Sequence, residues 1–245
     1  MRLNLSNIGH NFLVYDGVNL SDFFVVRTFD MPLLPSIEAA SIAIDGKAGE
    51  WFASRKVQTR DIVIGLGTLN ETKNRKDIMA AWFNLSDKLA KDKVCKLEIG
   101  NGLYVNALLI GDTSINTDGK WSIVNVTFRC FDPYIYGKEY TETLKSGTTT
   151  INVKGKCSTF PVINLTASSS TVLLTDLDTG DRIRYTGMAS GTKIVVDMAN
   201  YKSTVNGVYK AADLTVSDFW PLHTGDNRLQ LTGATGSLTY REMYL

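Results

Sequence analysis

The sequence predicts a mainly β protein with one α-helix, divided into two domains. Three observations carry that expectation. Short runs of β-branched and aromatic residues recur between Gly, Asn and Asp steps along most of the chain, the pattern of strands and turns. A single apolar stripe at helical spacing, Ile78, Trp82, Leu85 and Leu89, lies in the first part. Threonine then shifts sharply, from 7 in residues 1–140 to 18 in residues 141–245. The seam is placed at Phe131-Asp132-Pro133-Tyr134, where proline removes a donor and restricts the residue before it. The expected domains are therefore 1–135 and 136–245.

In the first domain, Leu13–Tyr15 and Phe23–Arg27 are expected as short strands flanking Asp16-Gly17. After Pro32 and Pro35, Ile37–Ile44 is an extended segment, Asp45-Gly46 a tight turn and Val57–Leu66 the returning strand, so Ile37–Leu66 reads as one long hairpin. Its loop, Asp45–Trp51, is polar apart from Ala48 and the aromatic end Trp51-Phe52. Such a pair is either ordinary packing or an element that docks on a neighbouring subunit; the interface candidates are Ile44, Asp45, Lys47, Trp51 and Phe52. Thr68 and Glu71 have capping-box spacing ahead of the helix.

The other face of the helix is basic. Lys73, Arg75, Lys76, Lys88, Lys91, Lys93 and Lys96 stand against Asp77, Asp87 and Asp92. This is either a solvated face or a positive rim that meets an acidic partner or faces passing DNA, with Lys73, Arg75, Lys76, Lys88 and Lys91 the candidates. Strands Val94–Ile99 and Leu103–Ile110 follow around Asn101-Gly102, then Trp121–Phe131 after Asp118-Gly119. Val124, Val126, Phe128 and Cys130 alternate toward a core. In the second domain eight strands are expected: Thr149–Val153, Pro161–Leu165, Thr171–Thr175, Arg182–Tyr185, Lys193–Asp197, Thr204–Tyr209, Arg228–Thr232 and Ser237–Glu242. That density suggests a two-sheet sandwich.

Composition excludes several function classes. Lys+Arg is 26 and Asp+Glu is 25, a net charge of +1, where tight phosphate gripping needs a basic excess. His10 and His223 are the two histidines, too few for a multi-histidine metal site. Cys95, Cys130 and Cys157 form no CxxC pair, so they are expected as buried free thiols of a chain made in a cytoplasm. Met1–His10 has no signal-peptide core, and no apolar run approaches the ~20 residues that span a bilayer, so no membrane role is expected.

Motif-level chemistry is sparse. GxSxG, HExxH and a P-loop lysine are absent. Gly65-Leu66-Gly67 between a strand and a helix is a turn or, lacking a third glycine and the lysine, a poor phosphate cradle. His223 near Asp218 and Ser217 sits beside Trp220-Pro221-Leu222, which reads as a packed corner rather than a triad. Asp176, Asp178 and Asp181 around Gly180 form an acidic hairpin turn or a calcium loop without its distal Glu. Tyr185, Tyr201, Tyr209, Trp220 and Tyr240 could stack on sugar rings, giving a lectin-like carbohydrate-binding module as the alternative function, or fill a sandwich core. No catalytic residue, cofactor or metal is expected.

Four phrases in order resemble the distal tail proteins of siphophages that infect Gram-positive bacteria. They are Phe12-Leu13-Val14-Tyr15-Asp16-Gly17 running on to Phe24, Phe128-Arg129-Cys130-Phe131-Asp132-Pro133-Tyr134, Ile194-Val195-Val196-Asp197 followed by Asn206-Gly207, and Phe219-Trp220-Pro221-Leu222 running on to Asn227. The last departs from the family phrase by Trp220, inserted between Phe and Pro. The resemblance implies a tail-tube-like β-sandwich or barrel for the first domain, with the long hairpin embracing a neighbour, and a galectin-like β-sandwich for the second. It further implies a homo-hexameric ring at the virion tail tip, joining the tail tube protein to the tail-associated hub protein. Receptor-binding or upper baseplate proteins are candidate partners around the ring, and DNA only transits its channel. Larger relatives carry inserted sugar-binding modules, for which this chain is too short.

Overall fold

A computed structural model describes residues 13–22, 24–68, 75–118, 121–209 and 213–245. The chain separates into two compact units, one reaching Ile135 and one spanning Tyr136–Tyr244. Among the described residues it is mainly β with one α-helix.

The first unit opens with β1 (Val14–Tyr15) and β2 (Val18–Asn19), joined through Asp16 and Gly17 at positive φ. A short 3-10 turn, Leu20–Asp22, leads to β3 (Phe24–Asp30). Next come β4 (Ile37–Ala43), β5 (Glu50–Val57) and β6 (Arg60–Thr68), then α1 (Arg75–Leu89). The unit continues with β7 (Cys95–Gly100), β8 (Leu103–Ile110), β9 (Ile115–Asp118) and β10 (Trp121–Cys130). β10 pairs with β6, and β6 with β3. The other edge of β10 takes β9 at its start and β8 at its end. β7 pairs with β8 and with β1.

Register explains the core. Ile62, Ile64 and Leu66 lie opposite Phe128, Val126 and Val124, and all are buried. This is the period-2 face of two strands turned to one side. Across it sits α1, whose Ile78, Trp82, Leu85 and Leu89 are all buried, as the helical spacing predicts. Trp82 stacks on Phe24 with ring centroids 4.1 Å apart, and its Nε1 donates to Ser122 Oγ at 2.8 Å. The capping pair Thr68 and Glu71 falls on Glu71, outside the described residues.

Two expectations are corrected here. Ile37–Leu66 is not one hairpin: the returning strand is β5, and the chain breaks at Gln58-Thr59 before β6 enters the main sheet. The reason is apolar periodicity. Ile62, Ile64 and Leu66 make a buried face, whereas residues 37–57 have none, so only β6 is drawn into the core. Gly65-Leu66-Gly67 is the interior of β6, not a turn. A Cβ at Gly65 would stand 2.4 Å from Thr28 Oγ1, so glycine is what lets the β3 side chain cross this strand.

The second unit is a two-sheet sandwich. Its strands are β11 (Ile135–Leu144), β12 (Gly147–Val153), β13 (Val162–Ala167), β14 (Thr171–Asp176) and β15 (Arg182–Thr186). They continue as β16 (Lys193–Asp197), β17 (Lys202–Val205), β18 (Leu214–Ser217), β19 (Gly225–Thr232) and β20 (Ala234–Tyr244). One sheet runs β17-β16-β13-β20-β11 and the other β12-β19-β14-β15-β18. All eight expected strands have counterparts, Lys193–Asp197 with the same ends; the expected Thr204–Tyr209 is instead β17, which stops at Val205 before the turn at Asn206-Gly207, and β11 and β18 are additional. Their faces close on one core containing Ile163, Leu174, Val196 and Leu231. Tyr185 of one sheet and Ser203 of the other share a buried hydroxyl hydrogen bond. Burial pushes the Tyr185 phenol up to about 12.

Candidate functional site

The β4–β5 ribbon is an arm without a core. Its two strands pair only with each other, and every residue from Ile37 to Lys56 in them is exposed. Gln58 N–H donates to Ser36 O at 2.8 Å and closes the base. The tip turns through Gly46 and Gly49, both at positive φ. Directly opposed residues of an antiparallel pair share a face. Ile42 and Trp51 therefore stand on one side, and Ser41 and Phe52 on the other. A register shift between Ala40 and Ser41 increases the local twist.

Apolar side chains occupy both sides of this ribbon. Ile42 is 59% exposed, Trp51 57% and Phe52 68%. Lys47 Nζ lies 4.3 Å from the Trp51 ring, covering part of it with a cation, while Ile44 and Asp45 remain open at the tip. Trp51 and Phe52 belong to β5 rather than to the loop. A two-stranded ribbon is at best marginal in water. Large exposed apolar side chains on both faces are a feature that a partner surface can cover. Sequence reasoning singled out five of these residues and missed Ile37 and Ile42, because an exposed strand gives no alternation to read.

The basic residues do not form one uniform rim. Lys73 and the side chain of Arg75 lie outside the described residues. Lys76 is exposed. Lys88 stands 3.7 Å from Asp87, and Lys91 Nζ 2.7 Å from Asp16 Oδ2. The hydrogen bond from Lys91 holds the Asp16 carboxyl below the usual carboxylate range. Lys96 is bonded to Glu98 at 2.8 Å and lies over the Tyr104 ring. Local pairing therefore offsets much of the positive charge that the sequence shows.

The other candidates resolve into structure. Asp176 is buried, and its Oδ1 accepts N–H bonds from Asp178 and Thr179, forming an Asx-type turn between β14 and β15. Asp178 pairs with Arg228 at 2.7 Å, and no cluster of His, Cys, Asp or Glu suited to a metal occurs among the described residues. His223 N–H donates to Asn227 Oδ1, while Asp218 Oδ2 accepts the Arg182 N–H, so these residues serve the corner. Of the aromatics weighed between sugar stacking and the sandwich core, Tyr185, Trp220 and Tyr240 are buried in the core, and Tyr201 and Tyr209 are exposed. Cys95 and Cys130 are buried free thiols, and Cys157 is half-buried. No helix among the described residues is long and apolar enough to cross a membrane.

One surface had no sequence signal. A groove of about 280 Å³ runs along α1, lined by Trp82, Leu85 and Leu89 from the helix and by Leu109, Ile115 and Val126 from the sheet. Phe83, 66% exposed, stands at its rim.

Residues 154–244 match the family described as siphovirus-type tail component, C-terminal domain. The distal tail protein of Bacillus phage SPP1 is 24% identical over 223 residues, covering 85% of this chain and 85% of that protein. The crystal structure of SPP1 Dit, described as a paradigm of the hub adsorption apparatus in phages infecting Gram-positive bacteria, matches with a TM-score of 0.86 and 20% identity. That match covers 96% of this chain and 99% of the other, and likeness at this identity speaks for a shared fold.

Proposed function

We propose that the chain is a siphophage distal tail protein that closes into a homo-hexameric ring at the virion tail tip, a reading supported by the tail-component match over residues 154–244 and by its likeness to the distal tail protein of Bacillus phage SPP1. It is a structural component of a phage tail. In the proposed assembly the first unit builds the ring and the arm grips the next copy. The second unit, a galectin-like sandwich, offers the surface to which receptor-binding or upper baseplate proteins attach. The ring joins the tail tube protein to the tail-associated hub protein, and its work is fitting rather than catalysis.

The observation that carries this reading is the arm, a paired ribbon exposed along its strands on both faces. A ring of identical copies needs heterologous contacts, in which one patch of each copy meets a different patch of the next. A protruding arm is one half of such a contact. Near-neutral net charge, +1, suits a channel through which DNA must slide without being held.

Electron microscopy of the purified protein tests the ring directly, with light scattering to give its mass. A hexamer or two stacked hexamers is expected. Deleting residues 43–52 should dissociate the ring and leave the second unit's unfolding transition in place. A strict monomer at high concentration would refute the reading.

A further inference from the structure

We propose that Arg60 is a buried clamp that ties both roots of the arm to the segment where the chain leaves the first unit, so that the three keep one fixed arrangement. The clamp works within a single copy. Only its consequence for assembly rests on the ring reading above.

Arg60 opens β6, directly after Gln58-Thr59, the root through which the arm returns. The other root is residues 31–36, between β3 and β4. Arg60 Nη1 donates to Pro32 O at 2.7 Å and so bonds one root to the other. Its Nε donates to Pro133 O at 3.1 Å, in the stretch between β10 and β11. Three segments far apart in sequence thus meet on one guanidinium, whose donors are held in a rigid plane. Proline's fixed φ narrows the direction of each accepting carbonyl.

This placement costs stability. Arg60 is 0% exposed, and burial pulls its pKa down. Its Nη2 has no hydrogen-bond partner among the described residues. The carboxylates next along the chain are engaged elsewhere: Asp61 accepts from Arg129, and Asp132 Oδ1 accepts the Tyr134 N–H. Cys130, directly opposite on β10, is a neutral thiol, because burial pushes it up to about 12. A buried charge without a counter-ion contributes little to stability, and specifying one conformation is the role open to it.

The arm is where such a role is needed. Its strands are exposed and pair only with each other, so no core of its own fixes its direction. The bond from Gln58 N–H to Ser36 O closes the base at one point. A ribbon held at one point can pivot. The Arg60 bonds, further in toward the sheet, add a second point and fix the direction.

The test is residue-resolved hydrogen exchange on the full chain, with calorimetry alongside. The reporters are the Gln58 N–H and the Tyr134 N–H, bonded to Ser36 O and Asp132 Oδ1 beside the two clamped carbonyls. Arg60→Met fills similar space without donors. Pro32 is exposed and Pro133 half-buried, so water can reach both carbonyls in the variant. Expected is exchange roughly tenfold faster at both reporters, with the α1 amides and the first unit's melting temperature nearly unchanged. Under the ring reading, association should also weaken roughly tenfold by light scattering. Arg60→Lys keeps the charge but replaces the fork with one nitrogen, and it should match Arg60→Met at both reporters. It decides the matter if Arg60→Met yields no folded chain. Unchanged exchange at either reporter, or wild-type exchange in Arg60→Lys, would overturn the clamp. A uniform rise across α1 with a lower melting temperature would also overturn it, marking Arg60 as ordinary packing. A monomeric wild type, with both reporters quickened in the variants, would uphold the clamp and remove the ring.

Discussion

Trp82 ties the helix to the sheet, and its hydrogen bond to Ser122 makes a prediction with a sign. Both residues are buried, at 4% and 1% exposure, and the bond is 2.8 Å long. Trp82→Phe keeps a ring against Phe24 but leaves the Ser122 hydroxyl without its donor. An orphaned buried hydroxyl costs about 1–3 kcal/mol. Ser122→Ala leaves the indole N–H orphaned instead, at a similar cost. Combined, the two changes remove both ends of the bond, which is close to neutral. The double variant should therefore recover most of the roughly 2–6 kcal/mol to which the single effects sum. The assay is scanning calorimetry, which follows the two units as separate transitions because a two-unit chain is not one two-state system. Each single change should lower the first unit's transition by roughly 4–10 °C and leave the second unit's in place. Strict additivity would refute the bond as a coupled element, and movement of the second transition would refute independent unfolding of the units. Trp82→Ala, which also loses the stacked ring, should cost about 3–5 kcal/mol.

Other substitutions separate arm, strand and turn. Phe52→Ala, at an exposed position, should shift the first unit's own stability by less than about 0.5 kcal/mol while weakening assembly; urea titration of dilute monomer checks this. Gly236→Ala would push a Cβ to 1.9 Å from the Asn164 carbonyl oxygen within the β13–β20 ladder. Loss of soluble protein, or a fall of several kcal/mol in the second unit alone, is expected on expression and calorimetry. Asp178 is held below the usual carboxylate range, first by the Arg228 backbone N–H and then by its guanidinium. Its folded value lies below its unfolded one, so its contribution is present above about pH 4 and fades as pH falls through the folded value. Asp178→Asn should make the acid limb of the second unit's stability shallower, read from melting temperatures between about pH 5 and 2. An unchanged limb would show the pair to be idle.

What the sequence determined was whatever repeats within a few residues. The stripe of Ile78, Trp82, Leu85 and Leu89 specified α1 and its buried face, because a helix returns to one side every three or four residues. The alternation of Val124, Val126, Phe128 and Cys130 specified β10 and its direction of burial. Asn101-Gly102 specified a hairpin because both residues accept positive φ. The ordered phrases near Phe12, Phe128, Ile194 and Phe219 carry the resemblance to siphophage distal tail proteins. Tertiary structure decided what depends on distant partners. Val57–Leu66 looked continuous, yet only Arg60–Thr68 found a sheet to join, which freed β4 and β5 as an arm. Gly65 and Gly67 resembled a turn until Thr28 and Arg27 of β3 were seen crossing them. Lys91 counted as a loose cation until Asp16, far away in sequence, came within 2.7 Å. The groove along α1 exists only because a helix and three strands meet there, and no local pattern encodes a space between elements that are far apart along the chain.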